Sequence, residues 1–385
     1  MNKKGNKIFD VIIAGAGPAG SKTAIELAEK GYHVLLIEKE QFPRYKPCGG
    51  GMPTKTLTQI GFDITPLIET YINGTRLTFN SRNPVTIEAR GIGAMVSRER
   101  FDTFLARKAA GAGALLMEHC RVFSIGYEGE MCLVETDRGR FHCRAIVGAD
   151  GAKGVVAGKA GLKGERELAT AIDKRVEVDK EIMASLENFT IMDYGVVPYG
   201  YAWIFPKRDH VSVGIYTTMK NLKDLELRLD RFISRQHVLR GGRILSTHWH
   251  PVPLSRKKKR LHGDKILLVG DAACLAEPFF GEGIANALKS ASIAAAKLDD
   301  FLSGRTKGIS GYSEEIYKSI TWDFRYARIM QNLFYRNPLR SHRLLGKKKY
   351  MGKWFALTIK GEMTYRGLFF RTLLTLPRWI GSYRD

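Results

Sequence analysis

IFDVIIAGAGPAG, residues 8–20, is a short apolar run that leads into a glycine motif of the form GxGxxG. The glycines of the motif are Gly15, Gly17 and Gly20. Glycine permits a tight turn between a strand and a helix, and it lets a pyrophosphate approach the backbone closely. Amides and the positive dipole at the start of the next helix would hold that anion. Alone, such a motif is weak evidence, so its surroundings decide.

The residues that follow complete a βαβ pattern. Residues 19–30 predict a helix, and residues 33–37 predict a second strand that ends at Glu38. The acid lies about twenty residues beyond the glycines, where it can accept hydrogen bonds from ribose hydroxyls. With all four parts in register, a glycine turn without a ligand is the weaker interpretation. The stretch therefore predicts a Rossmann-type domain that binds a dinucleotide.

Two distant segments have the same strand-to-glycine character, residues 145–156 and residues 265–287. The first runs from an apolar strand into an Asp-Gly pair. The second runs into Asp271 and then into a glycine turn that opens a helix at Gly283. The dinucleotide-binding domain is therefore predicted to be discontinuous.

The stretch FPRYKPCGGGM, residues 42–52, directly follows the βαβ pattern. It places Cys48 before three consecutive glycines, Gly49, Gly50 and Gly51. Glycines let a flat ligand come close to the backbone, and a buried site can tune the pKa of a thiol. Taken alone, an inert buried cysteine in a glycine-rich loop is the better interpretation. The neighbouring motifs shift the balance toward a ligand site.

Residues from about 160 to 260 contain strand-like runs, which predict an antiparallel sheet inserted between the two dinucleotide-binding segments. At its centre four aromatic residues alternate along one strand and so share one face. They are Tyr199, Tyr201, Trp203 and Phe205. A row of rings is usually core, but a cavity for a long, flat, apolar chain requires the same feature. The spacing leaves both interpretations open.

The 385-residue chain has a formal net charge of +22, which favours anionic partners. No nucleic-acid-binding motif accompanies the charge, so no nucleic-acid partner is predicted. The basic runs at 256–260 and 347–349 are, each by itself, ordinary solvated faces. Residues 354–383 mix Trp, Phe, Leu and Met with Lys and Arg, which suits an anionic membrane surface. A helical cap on the second domain explains that composition nearly as well.

The sequence shows neither a signal-peptide pattern nor an apolar run long enough to span a bilayer. Five cysteines without CxxC spacing argue against a disulfide framework and against a zinc or iron–sulfur site. We therefore expect a cytoplasmic protein without a metal site, attached at most peripherally to the inner face of the cell membrane.

Four motifs occur in a diagnostic order, GAGPAG at 15–20, FPRYKPCGGGM at 42–52, PYGYAWIFPK at 198–207 and GDAACLAEPFFGEGI at 270–284. In this order they resemble the geranylgeranyl reductase family, which has the FAD-binding fold of the p-hydroxybenzoate hydroxylase and glutathione reductase superfamily. The resemblance covers roughly residues 7–300. It implies non-covalent FAD and saturation of isoprenoid double bonds in lipids, quinones or chlorophyll side chains. The chlorophyll branch is expected to match less well, because MPTKTL follows the glycines here.

The resemblance also implies roles for single residues. Asp271 holds the ribityl chain, Arg98 lies near the cofactor at the start of a helix capped by Ser97, and Val122 contacts the adenine side. The expected cofactor-binding set is Gly15, Gly17, Gly20, Glu38, Cys48, Gly49, Gly51, Arg98, Val122, Asp271, Gly283 and Ile284.

An isolated alkene is a poor hydride acceptor, so hydride from reduced flavin must be coupled to proton delivery at the other carbon. Cys48 is the candidate for that proton donor or for orienting the chain, with Tyr199 as a candidate partner. Trp203 and Phe205 would line the chain channel, where aromatic faces could also stabilise developing positive charge. The residues expected to contact the chain are Tyr201, Phe205 and Gly50. The electron donor stays open between NAD(P)H and reduced ferredoxin, a small acidic carrier that would suit the charge.

The expected fold class is α/β, or α+β overall. Its parts are an FAD-binding domain (1–160 with 261–305), an antiparallel-sheet substrate domain (161–260) and a helical C-terminal region (306–385). One alternative is an FAD-dependent monooxygenase of the same fold. A second is a membrane-bound electron-transfer flavoprotein acting on quinone. The absent cysteine cluster argues against the second, and a nucleic-acid binder ranks last.

Overall fold

The computed structural model describes residues 8–186, 188–255 and 260–381. Its strands in chain order are β1 (Ile8–Ala14), β2 (Val34–Ile37), β3 (Gly51–Pro53), β4 (Ile68–Phe79), β5 (Arg82–Val96), β6 (Leu115–Met117), β7 (Val122–Glu128), β8 (Met131–Thr136), β9 (Gly139–Gly148), β10 (Glu167–Glu177), β11 (Phe189–Asp193), β12 (Gly200–Pro206), β13 (Val211–Thr217), β14 (Arg243–Leu254) and β15 (Ile266–Leu268). Its α-helices are α1 (Pro18–Ala28), α2 (Thr54–Ile60), α3 (Arg98–Gly111), α4 (Val156–Lys159), α5 (Lys180–Ser185), α6 (Leu225–Arg235), α7 (Ile284–Leu302), α8 (Tyr312–Ile316), α9 (Phe324–Arg336), α10 (Pro338–Lys347), α11 (Lys349–Lys360) and α12 (Tyr365–Gly381).

The first sheet carries the dinucleotide motif. Its strand order is β6-β2-β1-β9-β8-β7, and β15 pairs with the second half of β9. The strands β6, β2, β1, β9 and β15 run parallel, as a doubly wound fold requires. Helix α1 begins with Pro18, which suits a first helical turn, and it is buried between this sheet and the helices α3 and α7. The predicted βαβ unit is confirmed.

Residues 117–147 alternate apolar and polar residues in short runs, which predicts a small antiparallel sheet of their own. The structure differs from that prediction. Strands β7, β8 and β9 form an antiparallel meander, but β9 also pairs in parallel with β1. The meander is therefore a continuation of the first sheet. The alternating pattern identified the strands but contained nothing about the second partner of β9.

The second sheet has the order β14-β10-β13-β12-β11-β4-β5-β3. Its pairs are antiparallel except for β11 with β4, which run parallel. The predicted strands between 160 and 260 are present. The sheet also takes in β14, as well as β3, β4 and β5 from residues 51–96, which the sequence interpretation missed. The division of the chain into three domains stays a prediction.

Helices cover both faces of the second sheet. On one face Leu225, Leu229 and Phe232 of α6 complete an aliphatic core. On the other face α9, α10 and α11 pack over an aromatic core through Tyr335, Leu345 and other buried residues. The helical C-terminal region is therefore present, and for α11 the interpretation as a cap on the second sheet is correct.

No helix in the described part of the chain is long and apolar enough to cross a membrane. Of the basic runs, residues 256–259 lie outside the described residues, as do residues 382 and 383 of the aromatic tail. The run at 347–349 lies where α10 meets α11.

Candidate active site

The glycine motif forms a turn that leaves no room for side chains at two of its three positions. A Cβ atom on Gly20 would lie 1.9 Å from the carbonyl oxygen of Gly15, and one on Gly15 would lie 2.4 Å from that of Ala149. At Gly17 the nearest atom would be 3.9 Å away, on Arg44. The turn is therefore closed on the protein side and open at Gly17, as a cradle for a phosphate must be.

Glu38 closes the second strand and is buried, as predicted. Its Oε2 atom accepts a hydrogen bond from the amide of Ala16 (3.0 Å) and one from Arg44 (3.2 Å). Each carboxylate oxygen can accept a further bond, so capacity remains for a ribose hydroxyl. The Nε atom of Arg44 is buried and has no hydrogen-bond partner among the described residues. An orphaned cation donor beside the open side of Gly17 fits a pyrophosphate.

Arg98 begins α3 and is buried rather than solvated. Its Nε and Nη2 atoms donate to the two oxygens of Asp102 at 2.7 and 2.8 Å, and Arg44 reaches the same carboxylate at 3.2 Å. The Asp102 side chain is fully buried between the two cations. Ser97 precedes the helix but makes no side-chain capping bond, so the predicted capping role of Ser97 is wrong.

The loop at 42–52 is held by a lysine from the second sheet. Lys207 Nζ donates to the carbonyl oxygens of Gly49 (2.7 Å) and Val96 (3.0 Å). Burial lowers the pKa of Lys207 to about 8. Cys48 is half-buried, and its Sγ atom accepts from the amide of Gly50 at 3.4 Å. The thiol hydrogen is not used in that bond.

A Cβ atom on Gly49 or Gly51 would point toward the aromatic row, whereas one on Gly50 would not. A Cβ on Gly49 would lie 2.9 Å from the ring of Phe205 and 3.3 Å from that of Trp203. Gly50 adopts a left-handed conformation (φ 68°), and its Cβ would collide with Val96 and Lys207. That side of Gly50 therefore faces protein atoms rather than a substrate. Gly51 is less crowded, with Met95 and Phe205 at 3.6 Å.

Three residues of the aromatic row lie along β12, where Tyr201 and Trp203 are buried and Phe205 is half-buried. Tyr201 and Trp203 have ring centroids 6.1 Å apart, and Trp203 and Phe205 are 5.9 Å apart. The Tyr201 hydroxyl donates to the carbonyl of Phe280, and Trp203 Nε1 donates to Ser212 Oγ. Tyr199 precedes the strand with a positive φ and packs on Tyr335 of α9. The row thus runs about 20 Å, from the cysteine loop to the C-terminal helices.

The motif at 270–284 places Asp271 beside the start of α7. A Cβ on Gly283 would lie 3.5 Å from Asp271 Oδ1, in ordinary contact, and Ile284 begins the helix. Glu282 accepts from the amide of Ala285 (2.7 Å), so an acid caps part of this helix end.

A small polar cavity, partly open to solvent, is lined in part by Cys48. Cationic side chains dominate its lining, which includes Lys46, Arg98, Arg175 and Lys207. Burial is the main reason that the pKa of Lys46 falls to about 8. Burial and the neighbouring Lys46 lower that of His250 to about 3, so neutral His250 accepts from Lys46.

Comparison with known proteins identifies the family. A family model described as an FAD binding domain matches residues 9–318. Geranylgeranyl diphosphate reductase of Arabidopsis thaliana chloroplasts is 32% identical over 369 residues, covering 88% of this chain and 77% of the relative. Digeranylgeranylglycerophospholipid reductase 1 of Methanopyrus kandleri is 32% identical over 311 residues, covering 74% and 79%.

The chain belongs to the geranylgeranyl reductase family of flavoproteins. In fold it matches the crystal structure of a geranylgeranyl bacteriochlorophyll reductase-like protein from Thermoplasma acidophilum, with a TM-score of 0.80 and 24% identity. That match covers 92% of this chain and 97% of the other. As a family member the protein is an FAD-dependent oxidoreductase. The open cradle at Gly17, the orphaned Arg44 Nε and the Asp271 carboxylate fit FAD.

The comparisons do not separate the branches of the family. Chloroplast geranylgeranyl diphosphate reductases are 30–32% identical to this chain, and archaeal digeranylgeranylglycerophospholipid reductases are 29–32% identical. The poorer match to the chlorophyll branch, expected from the residues MPTKTL, stays a prediction.

The predicted site residues fall into two groups in this flavoprotein. The glycine motif, Glu38, Cys48 and Arg98 lie around the same loop, and Asp271 lies near enough for its charge to act on Lys46. Val122 lies apart, half-buried at the start of β7 and paired with Thr136. Its contact with the adenine side stays a prediction.

Arg44, Lys46, Asp102 and Lys207 were missed by the sequence reasoning. Three of the four lie inside motifs that carry the family resemblance. Arg44 and Lys46 are in FPRYKPCGGGM, and Lys207 ends PYGYAWIFPK. Asp102 lies four residues after Arg98, the spacing that makes side chains meet on a helix. Attention to charge within the motifs would have found them.

Proposed function

We propose that the protein reduces carbon–carbon double bonds of geranylgeranyl or other prenyl chains in a lipid or a prenylated quinone. The aromatic row carries this proposal. It begins at the loop that holds Cys48 and continues for about 20 Å in an apolar environment. That length suits an extended geranylgeranyl chain. The names of the relatives, which include geranylgeranyl diphosphate and digeranylgeranylglycerophospholipid reductases, support the same substrate class.

Cys48 is the proposed proton donor. Bound FAD in its reduced form supplies hydride, so the protein must provide a proton on the opposite side of the alkene. The amide of Gly50 fixes the Cys48 sulfur while leaving the thiol hydrogen available. Arg98 lines the same cavity as Cys48, and its positive charge would stabilise the thiolate that proton transfer leaves behind.

The rings next to Cys48 have a positioning role. The rings of Trp203 and Phe205 pack closely against Gly49, the residue after Cys48. A chain lying on these rings is therefore guided toward the thiol. Their faces stabilise positive charge at the more substituted alkene carbon. Because Tyr201 and Trp203 are buried, water is kept from that carbon. Tyr199 lies at the far end of the row, on Tyr335, which supports contact with the chain rather than proton transfer.

The electron donor is proposed to be anionic, either NAD(P)H or an acidic carrier such as reduced ferredoxin. The cationic cavity beside Cys48 supports this, since Lys46, Arg175 and Lys207 line it without a comparable number of acids. Anaerobic mixing of the oxidised protein with each donor, followed by loss of flavin absorbance near 450 nm, distinguishes them. An anionic membrane surface is the proposed location, at the inner face of the cell membrane.

Mass spectrometry of prenyl lipids tests the function. Cells that make geranylgeranylated lipids would express the protein or a Cys48→Ala variant at equal level. We expect masses raised by pairs of hydrogens only with the parental protein. Added oxygen instead of hydrogen would favour the monooxygenase alternative. Unchanged lipids alongside quinone reduction by the purified protein would favour the electron-transfer alternative.

A further inference from the structure

The outward sides of α9 and α12 expose large apolar side chains. Leu374 is 77% exposed, and Leu333, Leu373, Phe370 and Ile329 are between 40% and 49% exposed. The helices pack on each other, with Tyr326 of α9 5.7 Å from Phe369 and 6.2 Å from Phe370 of α12. The exposed residues therefore form one apolar surface, here called the α9–α12 face.

Arginines flank the apolar residues of this face. Arg325 stacks over Trp322 and Tyr326, and Arg366 lies over Phe370. Neither helix contains an Asp or Glu residue, and from Phe324 to Gly361 the sequence has ten Lys or Arg residues and no acid. An apolar face flanked by arginines, on two helices that contain no acid, is complementary to an anionic bilayer surface.

The inward sides of the same helices reach the aromatic row. Tyr335 of α9 lies 5.7 Å from Tyr199 of the row. Phe279 links the two helices, since its ring lies 6.3 Å from Tyr335 and 6.1 Å from Tyr365 of α12. Asp323 joins the helices by accepting from the amides of Tyr365 (2.7 Å) and Arg366 (2.9 Å). The helix pair thus separates the row from the exposed face by a single layer.

We propose that the α9–α12 face docks on an anionic lipid bilayer and that the prenyl chain passes from the bilayer between α9 and α12 to the aromatic row. This rests on the proposed function. It departs from the sequence-based expectation, which put the anchor in residues 354–383. In the structure Phe355, Ala356 and Thr358 of α11 are buried, so α11 is a cap and α9 replaces it at the surface.

Vesicle sedimentation tests the docking. Full-length holoenzyme is mixed with vesicles of phosphatidylglycerol and phosphatidylcholine or of phosphatidylcholine alone, at 0.1 and 1 M salt. We expect binding to the anionic vesicles that 1 M salt weakens, since the Debye length falls from about 10 to about 3 Å. The double variant Leu373→Glu/Leu374→Glu should reduce bound protein by roughly tenfold or more.

Leu227→Glu is the matched control. Leu227 is on α6 and is 47% exposed, against 46% for Leu373, and α6 lies on the opposite side of the second sheet. This variant should bind vesicles like the parent. Equal loss in both variants, or none in the double variant, overturns the docking. Concentration-dependent dimers that the double variant abolishes, without vesicle binding by the parent, would assign the face to a second copy of the chain.

A two-substrate assay tests the route and separates it from the function. With dithionite as reductant, the double variant should lose roughly tenfold of its rate on a geranylgeranylated phospholipid in anionic vesicles. It should keep the parental rate on monomeric geranylgeranyl diphosphate, which does not need the bilayer. Equal rates of parent and variant on both substrates would overturn the route. No saturated product from either substrate with the parent would overturn the proposed function instead.

Discussion

The glycines of the FAD-binding region and those beneath the aromatic row occupy the same kind of crowded position but against different neighbours. At Gly15 and Gly20 the space of a side chain is filled by backbone carbonyls. At Gly49 and Gly281 it is filled by the rings of Phe205 and Tyr216. Backbone in a sheet cannot yield, whereas a ring can rotate or shift. The first region is therefore a rigid cofactor seat, and the second is a surface able to adapt to a chain.

Gly20→Ala should have the largest effect of any change in the cofactor seat. Its Cβ would lie 1.9 Å from a carbonyl oxygen, so strand and helix must separate at a cost of more than about 3 kcal/mol. We expect almost no FAD after gel filtration and a strongly lowered Tm by circular dichroism. Gly17→Ala is the control, because its Cβ meets open space. This variant should keep the Tm of the apoprotein but still lose FAD. Parental FAD content in both variants would refute the assignment of this turn as the cofactor seat.

Cys48→Ala should lower turnover by roughly a hundredfold or more, as expected when a positioned proton donor is removed. The FAD content and the photoreduction of the flavin should remain parental, since the thiol is half-buried and small. Saturated product is measured in single-turnover reactions. Cys120→Ala controls for loss of a buried thiol elsewhere and should turn over normally. A parental rate for Cys48→Ala would show that Cys48 is not the proton donor.

Gly49→Ala tests whether the aromatic surface adapts. The added Cβ pushes against Phe205 at 2.9 Å, so we expect FAD to be retained and kcat/KM for a geranylgeranyl substrate to fall by about tenfold. The double variant Gly49→Ala/Phe205→Leu should recover part of that loss, because the ring is gone. Gly51→Ala, with its nearest neighbours at 3.6 Å, is the matched control and should be nearly neutral. Loss of FAD in Gly49→Ala would mean that the loop is as rigid as the glycine turn.

Glu277→Gln should have the smallest effect on rate and a clear one on pH dependence. Burial raises the pKa of Glu277 from 4.5 to about 7, although the amides of Phe279 and Phe280 oppose the shift. A raised carboxyl pKa means that the folded state holds more protons between pH 4.5 and 7, so stability falls as pH rises through this window. The fall is on the order of 3 kcal/mol.

Gln mimics the protonated acid, so the Tm of Glu277→Gln should change little between pH 5 and 8. Thermal unfolding of the holoenzyme measures this slope. Glu165→Gln, at an exposed position, should keep the parental slope. A parental slope in Glu277→Gln would show that another group is responsible.

The cofactor seat was predictable because its signals are local. The strand, turn, helix and acid lie within residues 8–38, and each is specified by its neighbours in sequence. Arg44 with Asp102 was not predictable from spacing, since the pair joins residues 58 positions apart. Such a contact depends on how α3 packs beside the loop.

The second sheet was predictable only in part. The two-residue period of the sequence predicted β12 and its aromatic rings. It could not decide whether the rings form a core or line a channel, because the answer depends on how Tyr335 and Phe334 of α9 pack beside them. Strand β4 pairs antiparallel with β5, which directly follows it, and in parallel with β11, more than a hundred residues later. It was missed because its burial pattern is irregular, so no clean alternation marks it.

Strand β9 has a consequence for biosynthesis. Its segment Ile146–Gly148 gains its partner, Ile266–Leu268, only after a further 120 residues have been made. Chains emerge from the ribosome with the N-terminus first, so the parallel edge of β9 stays open during that interval. Asp271 and Gly283 arrive later still, which places cofactor capture near the end of synthesis. A nascent chain stalled before that point would present an exposed sheet edge, the surface that drives aggregation and that chaperones must shield.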